Sequence, residues 1–290
     1  MTYGIAGNTA KSELWVQVAA LTTWMSSKNI AWCLHAPVAR GLAERALLPP
    51  ELCSTRSTAH LADCCDLILS FGGDGTLLRT AHEVNETRTP ILGINIGHVG
   101  FLADVEAAHV QHAVERLEMG AYEVDERMAL AVNGTHPGWA LNDVVVTRAG
   151  AAGLIALDVT VDGTALNRYR ADGLLVATPT GSTAYSLAVG GPIVMPGSAV
   201  VLVSPIASHS LTMRPVVLPS SSVIDVRVYH GPTSCVLALD GRTVASLGVG
   251  DIITIRRATH AIRLVTLPGQ HYFKTLRNKL AWGVEPQKFT

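Results

Sequence analysis

The chain is poor in charge, in aromatic side chains and in long hydrophobic runs. Of its 290 residues, 16% are charged and 5% are aromatic, and the formal net charge of −1 comes with no basic block. The sequence therefore predicts neither a nucleic-acid-binding face nor a polybasic membrane patch. No apolar stretch reaches the roughly 18 residues that a membrane-spanning helix needs. We expect no nucleic acid and no membrane among the partners.

Cysteine is scarce too, and the arrangement of the cysteines indicates no site. They are Cys33, Cys53, Cys64, Cys65 and Cys235. Their number is odd and none has C-x-x-C spacing, which favours reduced, mostly buried thiols.

The N-terminus lacks the basic-then-apolar pattern of a signal peptide, so we expect a cytoplasmic protein. No metal-ligating set is predicted, and without a G-x-S-x-G motif serine hydrolase chemistry has no support.

Apolar residues are plentiful, at 48% with a mean hydropathy of +0.31, and they form two patterns. Strand and helix signals alternate over the first hundred residues, which is typical of a parallel sheet covered by helices. From about residue 120, short β runs and two Asp-Gly hairpin turns, at 162–163 and 240–241, predict packed β-sheets. Phe273, Leu276 and Leu280 form an amphipathic stripe, so the tail helix is expected to pack on the first domain.

The predicted fold is therefore an α/β N-terminal domain with a Rossmann-like parallel sheet, followed by an all-β, β-sandwich-like C-terminal domain. The expected bounds are 1–106 with 270–290 for the first domain, and 107–269 for the second.

A Gly-Gly-Asp-Gly turn at 72–75 lies between an apolar run and a helical run. Glycines let a ligand approach the main chain, and a helix N-terminus attracts phosphate. The predicted phosphate-binding residues are Gly72, Gly73, Gly75 and Thr76. A carboxylate is unfavourable beside phosphate unless it has a role, so Asp74 is a candidate for metal contact, hydroxyl binding or proton abstraction. An ordinary strand-to-helix turn is the alternative.

Two further segments are candidate binding loops. Residues 93–102 form a glycine-rich turn without G-x-G-x-x-G spacing, expected at the same sheet edge as Asp74, with a purely structural loop as the alternative. Residues 170–192 concentrate hydroxyl groups after an apolar strand. Such groups suit adenine, ribose or amide ligands, and Tyr185 can stack on a ring. A capped helix is the alternative.

On these residues the chain resembles the NAD kinase family. The Gly-Gly-Asp-Gly turn, an Asn-Asp pair at 142–143 and the Asp-Gly…Thr-Pro-Thr-Gly-Ser-Thr-Ala-Tyr stretch at 172–185 occur in the family's order. The resemblance implies a two-domain fold with the site between the domains. It also implies transfer of the γ-phosphoryl of ATP to the 2′-hydroxyl of the adenosine ribose of NAD, giving NADP.

By the same resemblance, Asp74 is the general base and further residues bind NAD. These are Asp74, Gly75, Arg79, Asn142, Asp143, Arg170, Asp172, Thr183, Ala184, Tyr185, Ser186, Leu187, Ala188 and, more weakly, Ala207. The family has Glu where this chain has Asp143, whose side chain is one methylene shorter. Asn8-Thr9 replaces the family's more usual Asn-Pro.

The resemblance further implies Mg²⁺ or another divalent cation bound with ATP, polyphosphate as a conceivable donor, and a homodimer or homotetramer. Two alternatives stay open. The first is a diacylglycerol-type lipid kinase sharing the Gly-Gly-Asp-Gly turn, which the polar 178–186 segment disfavours. The second is a non-catalytic NAD(P)-binding regulator, which Asp74 disfavours.

Overall fold

The computed structural model describes residues 1–84, 87–97, 100–103, 105–134, 136–150, 154–231, 235–269 and 271–282. They form two compact units, unit 1 from Met1–Asp125 with Arg263–Thr290, and unit 2 from Glu126–Ile262. These bounds differ from the expected domain bounds, since helix Val110–Glu118 places four buried side chains in the core of unit 1. No helix within the described residues is long and apolar enough to cross a membrane.

Unit 1 is a parallel sheet with helices, as predicted. Its strands are β1 (Thr2–Gly7), β2 (Ala31–His35), β3 (Ser57–Thr58), β4 (Leu67–Gly72), β5 (Ile91–Asn95) and β6 (Val105–Glu106). Its helices are α1 (Glu13–Ser27), α2 (Ala36–Glu44), α3 (Pro50–Thr55), α4 (Asp74–Val84) and α5 (Val110–Glu118). Short 3₁₀ turns cover Leu61–Asp63 and Ala107–His109. The path β5-β4-β1-β2-β3 is parallel throughout.

The register of this sheet decides which loops are neighbours. Gly7 pairs with Phe71, and Gly72 pairs with Asn95. The carboxyl ends of β1, β4 and β5 therefore meet at one edge, where ligands bind in open α/β sheets. The turn after β4 emerges there, with the loops after β1 and β5 on its two sides.

Unit 2 is built from antiparallel strands. They are β7 (Glu123–Asn133), β8 (Gly138–Ala140), β9 (Asp143–Arg148), β10 (Ile155–Val161), β11 (Thr164–Ala171), β12 (Gly173–Ala177), β13 (Val200–Ile206), β14 (Val216–Pro219), β15 (Ile224–His230), β16 (Cys235–Leu239), β17 (Arg242–Leu247) and β18 (Ile252–Thr266), the first beginning and the last ending in unit 1. A 3₁₀ turn, Thr180–Thr183, and helix α6 (Tyr185–Ala188) follow β12.

Two sheets enclose the core of unit 2. One runs β14-β13-β12-β9-β16-β17, and the other contains β11-β10-β15-β18. Apolar side chains of both sheets form one buried cluster, with Val146 and Leu174 from the first and Leu157 and Val226 from the second. The β-sandwich-like prediction is confirmed.

Both Asp-Gly hairpins form where predicted, at β10–β11 and β16–β17. The backbone φ angles at Asp162 and Gly163 are 51° and 77°, and at Asp240 and Gly241 they are 48° and 75°. Two successive positive φ values characterise the type I′ turn that suits a two-residue hairpin loop.

The tail forms helix α7 (Tyr272–Leu280), which belongs to unit 1 as predicted. The predicted stripe is only partly correct. Leu276 is buried and Leu280 half-buried, but Phe273 is 59% exposed, while Thr275 takes a buried position. The buried face is thus narrower than the apolar spacing indicates.

Candidate functional site

The Gly-Gly-Asp-Gly turn joins β4 directly to α4. A Cβ on Gly72 would collide with the Thr76 side chain, so Gly72 allows the first turn of α4 to fold against the strand. A Cβ on Gly73 or Gly75 would meet nothing within 4 Å, which leaves open space above both. The turn therefore presents uncovered main chain at the N-terminus of an 11-residue helix. This geometry suits a phosphate group.

The Asp74 carboxylate is held by main-chain groups. Oδ2 accepts a hydrogen bond from the N–H of Phe101 at 2.9 Å. Oδ1 accepts one from Leu102 at 2.9 Å and one from Ala103 at 3.3 Å. The side chain is half-buried, so it keeps contact with the surface. The glycine-rich turn thus lies at the same sheet edge as Asp74, as predicted, and it does more than close a loop.

Two glycines of that turn make the contact possible. A Cβ on Gly100 would collide with Oδ1 of Asp74. A Cβ on Gly93 would lie 2.7 Å from Cα of Ala103 and 2.8 Å from the carbonyl oxygen of Leu102. The main chain of 100–103 can pack against β5 and the carboxylate only because both positions lack a side chain.

Arg79 and Asp74 have different neighbours, although both belong to α4. Arg79 is exposed and lines a cavity of about 180 Å³ with Gly7, His35 and Glu83, while Asp74 contacts the loop after β5. His35 Nε2 lies 3.9 Å from Glu83 Oε2 in this cavity. Thr76 also lines it.

In unit 2, the Asn142-Asp143 pair is fixed by a carboxylate from the β16–β17 turn. Asp240 accepts hydrogen bonds from the N–H groups of Leu141 at 2.9 Å, Asn142 at 2.7 Å and Asp143 at 3.2 Å. Asp143 is buried. Burial, reinforced by the neighbouring Asp240 carboxylate, raises the pKa of Asp143 to about 7. Asp143 is therefore poised to gain or lose a proton near neutrality.

The hydroxyl-rich segment packs against the same pair. Thr178 donates to the carbonyl of Leu141 at 2.6 Å and accepts from the N–H of Gly181 at 3.0 Å. A Cβ on Gly181 would collide with the carbonyl of Asn142. Residues 178–183 and Asn142 are thus brought together by the fold.

The residues of this segment differ in how deeply they are buried. The hydroxyls of Thr178 and Ser182 are buried and bonded within the chain, Ser182 to both the N–H and the carbonyl of Val194. The Thr178 hydroxyl satisfies the N–H of Gly181 in the 3₁₀ turn, whereas no side-chain bond caps α6, so capping explains one hydroxyl of the segment and not the others. Of the predicted NAD-binding residues in this segment, Tyr185 and Ala188 are exposed, Thr183, Ala184 and Leu187 are half-buried, and Ser186 is buried.

The other predicted NAD-binding residues of unit 2 lie at strand ends. Arg170 is exposed near the end of β11 and lines a cavity of about 420 Å³ with Tyr229 and His230. Asp172 forms a two-bond ion pair with Arg148, at 2.9 and 3.3 Å. Ala207 is exposed after β13 with a φ of 46°.

One donor set in the described residues could hold a metal ion. The side chains of Cys33, Cys64 and Cys65 place their sulfur atoms within 4.8 Å of one another. Sulfur donors are soft and do not suit Mg²⁺, which prefers oxygen ligands. This set therefore does not fit the cation expected with ATP.

Three contributors to these arrangements are not evident from the sequence as functional residues. Gly100 belongs to a glycine-rich turn, Asp240 to a hairpin turn, and Arg148 to no motif. The Asp-Gly signal could have flagged Asp240, because Asp side chains at turns often accept main-chain N–H groups. Nothing local marks Arg148, whose partner Asp172 lies 24 positions away.

Comparison with known families finds matches across both units. The ATP-NAD kinase N-terminal domain matches residues 4–122, and the ATP-NAD kinase C-terminal domain matches residues 141–267.

Curated relatives and solved structures agree with these matches. The NAD kinase of Geobacter sulfurreducens is 37% identical over 269 residues, covering 91% of this chain and 92% of its own. The NAD kinase of Gemmatimonas aurantiaca is 43% identical over 225 residues, covering 75% and 78%. A crystal structure of yeast NADH kinase complexed with NADH superposes with a TM-score of 0.85 at 25% identity, covering 100% of this chain and 90% of that one.

Proposed function

Because the chain belongs to the ATP-NAD kinase family, we propose that it transfers the γ-phosphoryl group of ATP to the 2′-hydroxyl of the adenosine ribose of NAD, giving NADP. The observation that carries the assignment of roles is the Asp74 carboxylate, oriented by three main-chain N–H groups beside an uncovered helix N-terminus. Neither a lipid kinase nor a non-catalytic regulator is favoured, since the curated relatives are NAD kinases over nearly the whole chain.

Asp74 acts on the acceptor hydroxyl. A carboxylate has about four lone-pair positions, and three are used by Phe101, Leu102 and Ala103. The remaining position, on Oδ2, can accept the ribose O–H. As the hydroxyl oxygen bonds to the γ-phosphorus and the bond to the ADP oxygen breaks, the hydroxyl proton passes to Asp74. Because phosphoryl transfer depends mainly on positioning and charge stabilisation, orienting the hydroxyl is a large part of this role.

The phosphate groups are placed at the start of α4. Gly72, Gly73, Gly75 and Thr76 form this subsite, where open main chain and the positive end of the helix dipole favour negative charge. The Asp74 carboxylate accepts three main-chain N–H groups from 101–103, which offset part of its negative charge beside this subsite.

The family membership assigns NAD-binding roles to residues in each unit, taken separately. In unit 1 these are Asp74, Gly75 and Arg79. From unit 2 they are Asn142, Asp143, Arg170, Asp172, the segment Thr183–Ala188 and Ala207. The bonds of Asp240 to 141–143 and of Arg148 to Asp172 support this assignment, since each holds a proposed ligand residue in place. Within 183–188, the exposed ring of Tyr185 is available for stacking.

The divalent cation, Mg²⁺ or a similar ion, is proposed to arrive on the ATP phosphates. Apart from the cysteine set, no group of three or more His, Cys, Asp or Glu side chains in the described residues comes close enough to share an ion. A nucleotide-borne cation neutralises phosphate charge without a protein cage. Polyphosphate can be tested as a second donor.

We also propose a cytoplasmic homodimer or homotetramer. The support is the family membership and five free cysteines, which suit a reducing compartment. Light scattering of the purified chain measures the assembly directly, and a monomer would contradict this proposal.

The activity is tested by incubating the purified chain with NAD, ATP and Mg²⁺ and detecting NADP with an NADP-specific dehydrogenase. NADP should form only when all three are present. Parallel reactions with a diacylglycerol acceptor, and with polyphosphate replacing ATP, define the acceptor and donor. Tight NAD binding without any formation of NADP would instead support the alternative of a non-catalytic NAD(P)-binding regulator.

A further inference from the structure

Three cysteines that are distant in sequence meet on unit 1, outside the residues assigned to the kinase reaction. Cys33 lies in β2, and Cys64 and Cys65 lie between the Leu61–Asp63 turn and β4. The sulfur of Cys64 is 4.0 Å from that of Cys33 and 3.7 Å from that of Cys65. All three thiols are free.

The sheet register creates this cluster. Gly4 of β1 is paired with Cys33 on one side and Ile68 on the other. Because side chains alternate along a strand, Cys33 faces away from Trp32 and Leu34, which lie in the core of unit 1. Gly4 adds no side chain on this face, and a Cβ there would lie 3.1 Å from the Cys65 sulfur. The sulfur of Cys65 occupies the space that Gly4 leaves.

The sulfur spacing matches a tetrahedral thiolate site. With a zinc–sulfur bond of about 2.3 Å, two sulfurs of one tetrahedron are about 3.8 Å apart. Two of the three sulfur separations, 3.7 and 4.0 Å, straddle that value, and all three sulfurs lie within 4.8 Å of one another. They are far longer than the roughly 2 Å of a disulfide bond.

We propose that Cys33, Cys64 and Cys65 form a binding site for a thiophilic divalent cation, Zn²⁺ in the first instance. Each thiol releases its proton to solvent and ligates through sulfur, and water fills the fourth position. Cys64 is exposed and gives the ion access, while Cys65 is buried and Cys33 half-buried. The site is separate from the cation carried by ATP, because Mg²⁺ does not favour sulfur ligands.

Binding at this site would tie β2 to the segment that leads into β4. An ion that binds only the folded state raises its stability by mass action. Zn²⁺ should therefore raise the melting temperature of the chain even in the absence of substrates.

The test uses the tag-free full chain, reduced and stripped of metal. Co²⁺ is added to look for the thiolate-to-metal charge-transfer band of a tetrahedral site, and Zn²⁺ affinity and stoichiometry are measured by competition with a chromophoric chelator. Cys64→Ser removes one ligand at an exposed position where folding is not at risk. Cys53→Ser, a buried thiol of α3 outside the cluster, is the matched control.

We expect one Zn²⁺ per chain, a loss of at least about tenfold in affinity for Cys64→Ser, and an unchanged affinity for Cys53→Ser. Bound Zn²⁺ should also slow alkylation of Cys64 in the unmodified chain, as mapped by mass spectrometry. Absence of the charge-transfer band, or equal Zn²⁺ affinity in both variants, would overturn the proposal.

Discussion

At the scale of single residues, the proposed base depends on main-chain groups that no side-chain motif reveals. Asp74 is oriented by the N–H groups of 101–103, and these can approach only because residue 100 is glycine. The carboxylate therefore has a defined direction before any substrate binds, which reduces the entropy that the reaction must overcome.

Gly100→Ala tests this dependence. The new Cβ would collide with Oδ1, so the carboxylate must move, and kcat should fall about 10- to 100-fold while KM for NAD changes less. Steady-state kinetics with circular dichroism as a folding check give the result. Gly197→Ala is the control, because a Cβ there meets nothing within 4 Å. Equal kcat values for the two variants would show that the Asp74 orientation is not needed.

Asp143 should make the stability of the substrate-free protein depend on pH. Its folded-state pKa is about 7, against about 3.9 for an unfolded chain, so the folded state binds more protons between these values. The stability that Asp143 contributes is full below about pH 4 and is lost as the pH rises through 7.

Asp143→Asn removes that titration. Its free energy of unfolding, relative to that of the original chain, should therefore increase from pH 4 to pH 8, by roughly 2–4 kcal/mol at most. Urea unfolding across this range measures the difference, and Asp63→Asn, at an exposed position, serves as control. A constant difference for Asp143→Asn would contradict the raised pKa.

Among the secondary-structure elements, the two hairpins with Asp-Gly turns differ in how many main-chain N–H groups their Asp side chains accept. Asp162 accepts one N–H, from Val223, whereas Asp240 accepts three, from 141–143. The β16–β17 turn thus anchors the start of β9, where two proposed NAD ligands lie.

Asp240→Ala and Asp162→Ala make a matched pair. Loss of Asp240 leaves three N–H groups without their acceptor, so unfolding should become easier by about 1–3 kcal/mol and KM for NAD should rise about tenfold. Asp162→Ala should cost less stability and leave KM unchanged. Calorimetry and initial rates measure the two effects, and an unchanged KM in both variants would show that Asp240 does not position the NAD-binding residues.

At the scale of the whole molecule, unit 1 is assembled from both ends of the chain. Arg263–Thr290 joins Met1–Asp125, and β18 reaches β5 through the pair Leu264–Ile91. Unit 1 is therefore complete only when the tail is present.

Leu276→Ala tests the contribution of the tail. Leu276 is buried, so truncation should lower the free energy of unfolding by about 2–4 kcal/mol, whereas Phe273→Ala, at an exposed position of the same helix, should cost less than about 0.5 kcal/mol. Chemical denaturation of both variants gives the comparison. Equal costs would mean that α7 does not pack through Leu276.

Much of this architecture is predictable from local pattern. Buried parallel strands such as β4 are continuous apolar runs, and the type I′ hairpins have Asp-Gly turns that adopt positive φ readily. The Gly-Gly-Asp-Gly and 172–185 motifs identify the family because they combine turn geometry with particular polar groups.

The rest depends on which strands become neighbours. The contact between Asp74 and 101–103 requires β5 to lie beside β4, and the cysteine cluster requires β2 and β4 to flank β1. The exposure of Phe273 likewise reflects tertiary packing rather than helical periodicity. Local sequence patterns do not reveal these features. The Asp74 contact and the cysteine cluster join residues that are tens of positions apart, and the exposure of Phe273 depends on how α7 packs on the rest of unit 1.

Asp74→Asn tests whether Asp74 takes the proton of the ribose hydroxyl. The amide keeps the size of the side chain but accepts protons poorly. We predict that NAD binding, measured by isothermal titration calorimetry, stays within about threefold, while single-turnover NADP formation from NAD and ATP falls about 10²- to 10⁴-fold. Near-normal turnover by Asp74→Asn, with NAD bound, would show that Asp74 is not the general base.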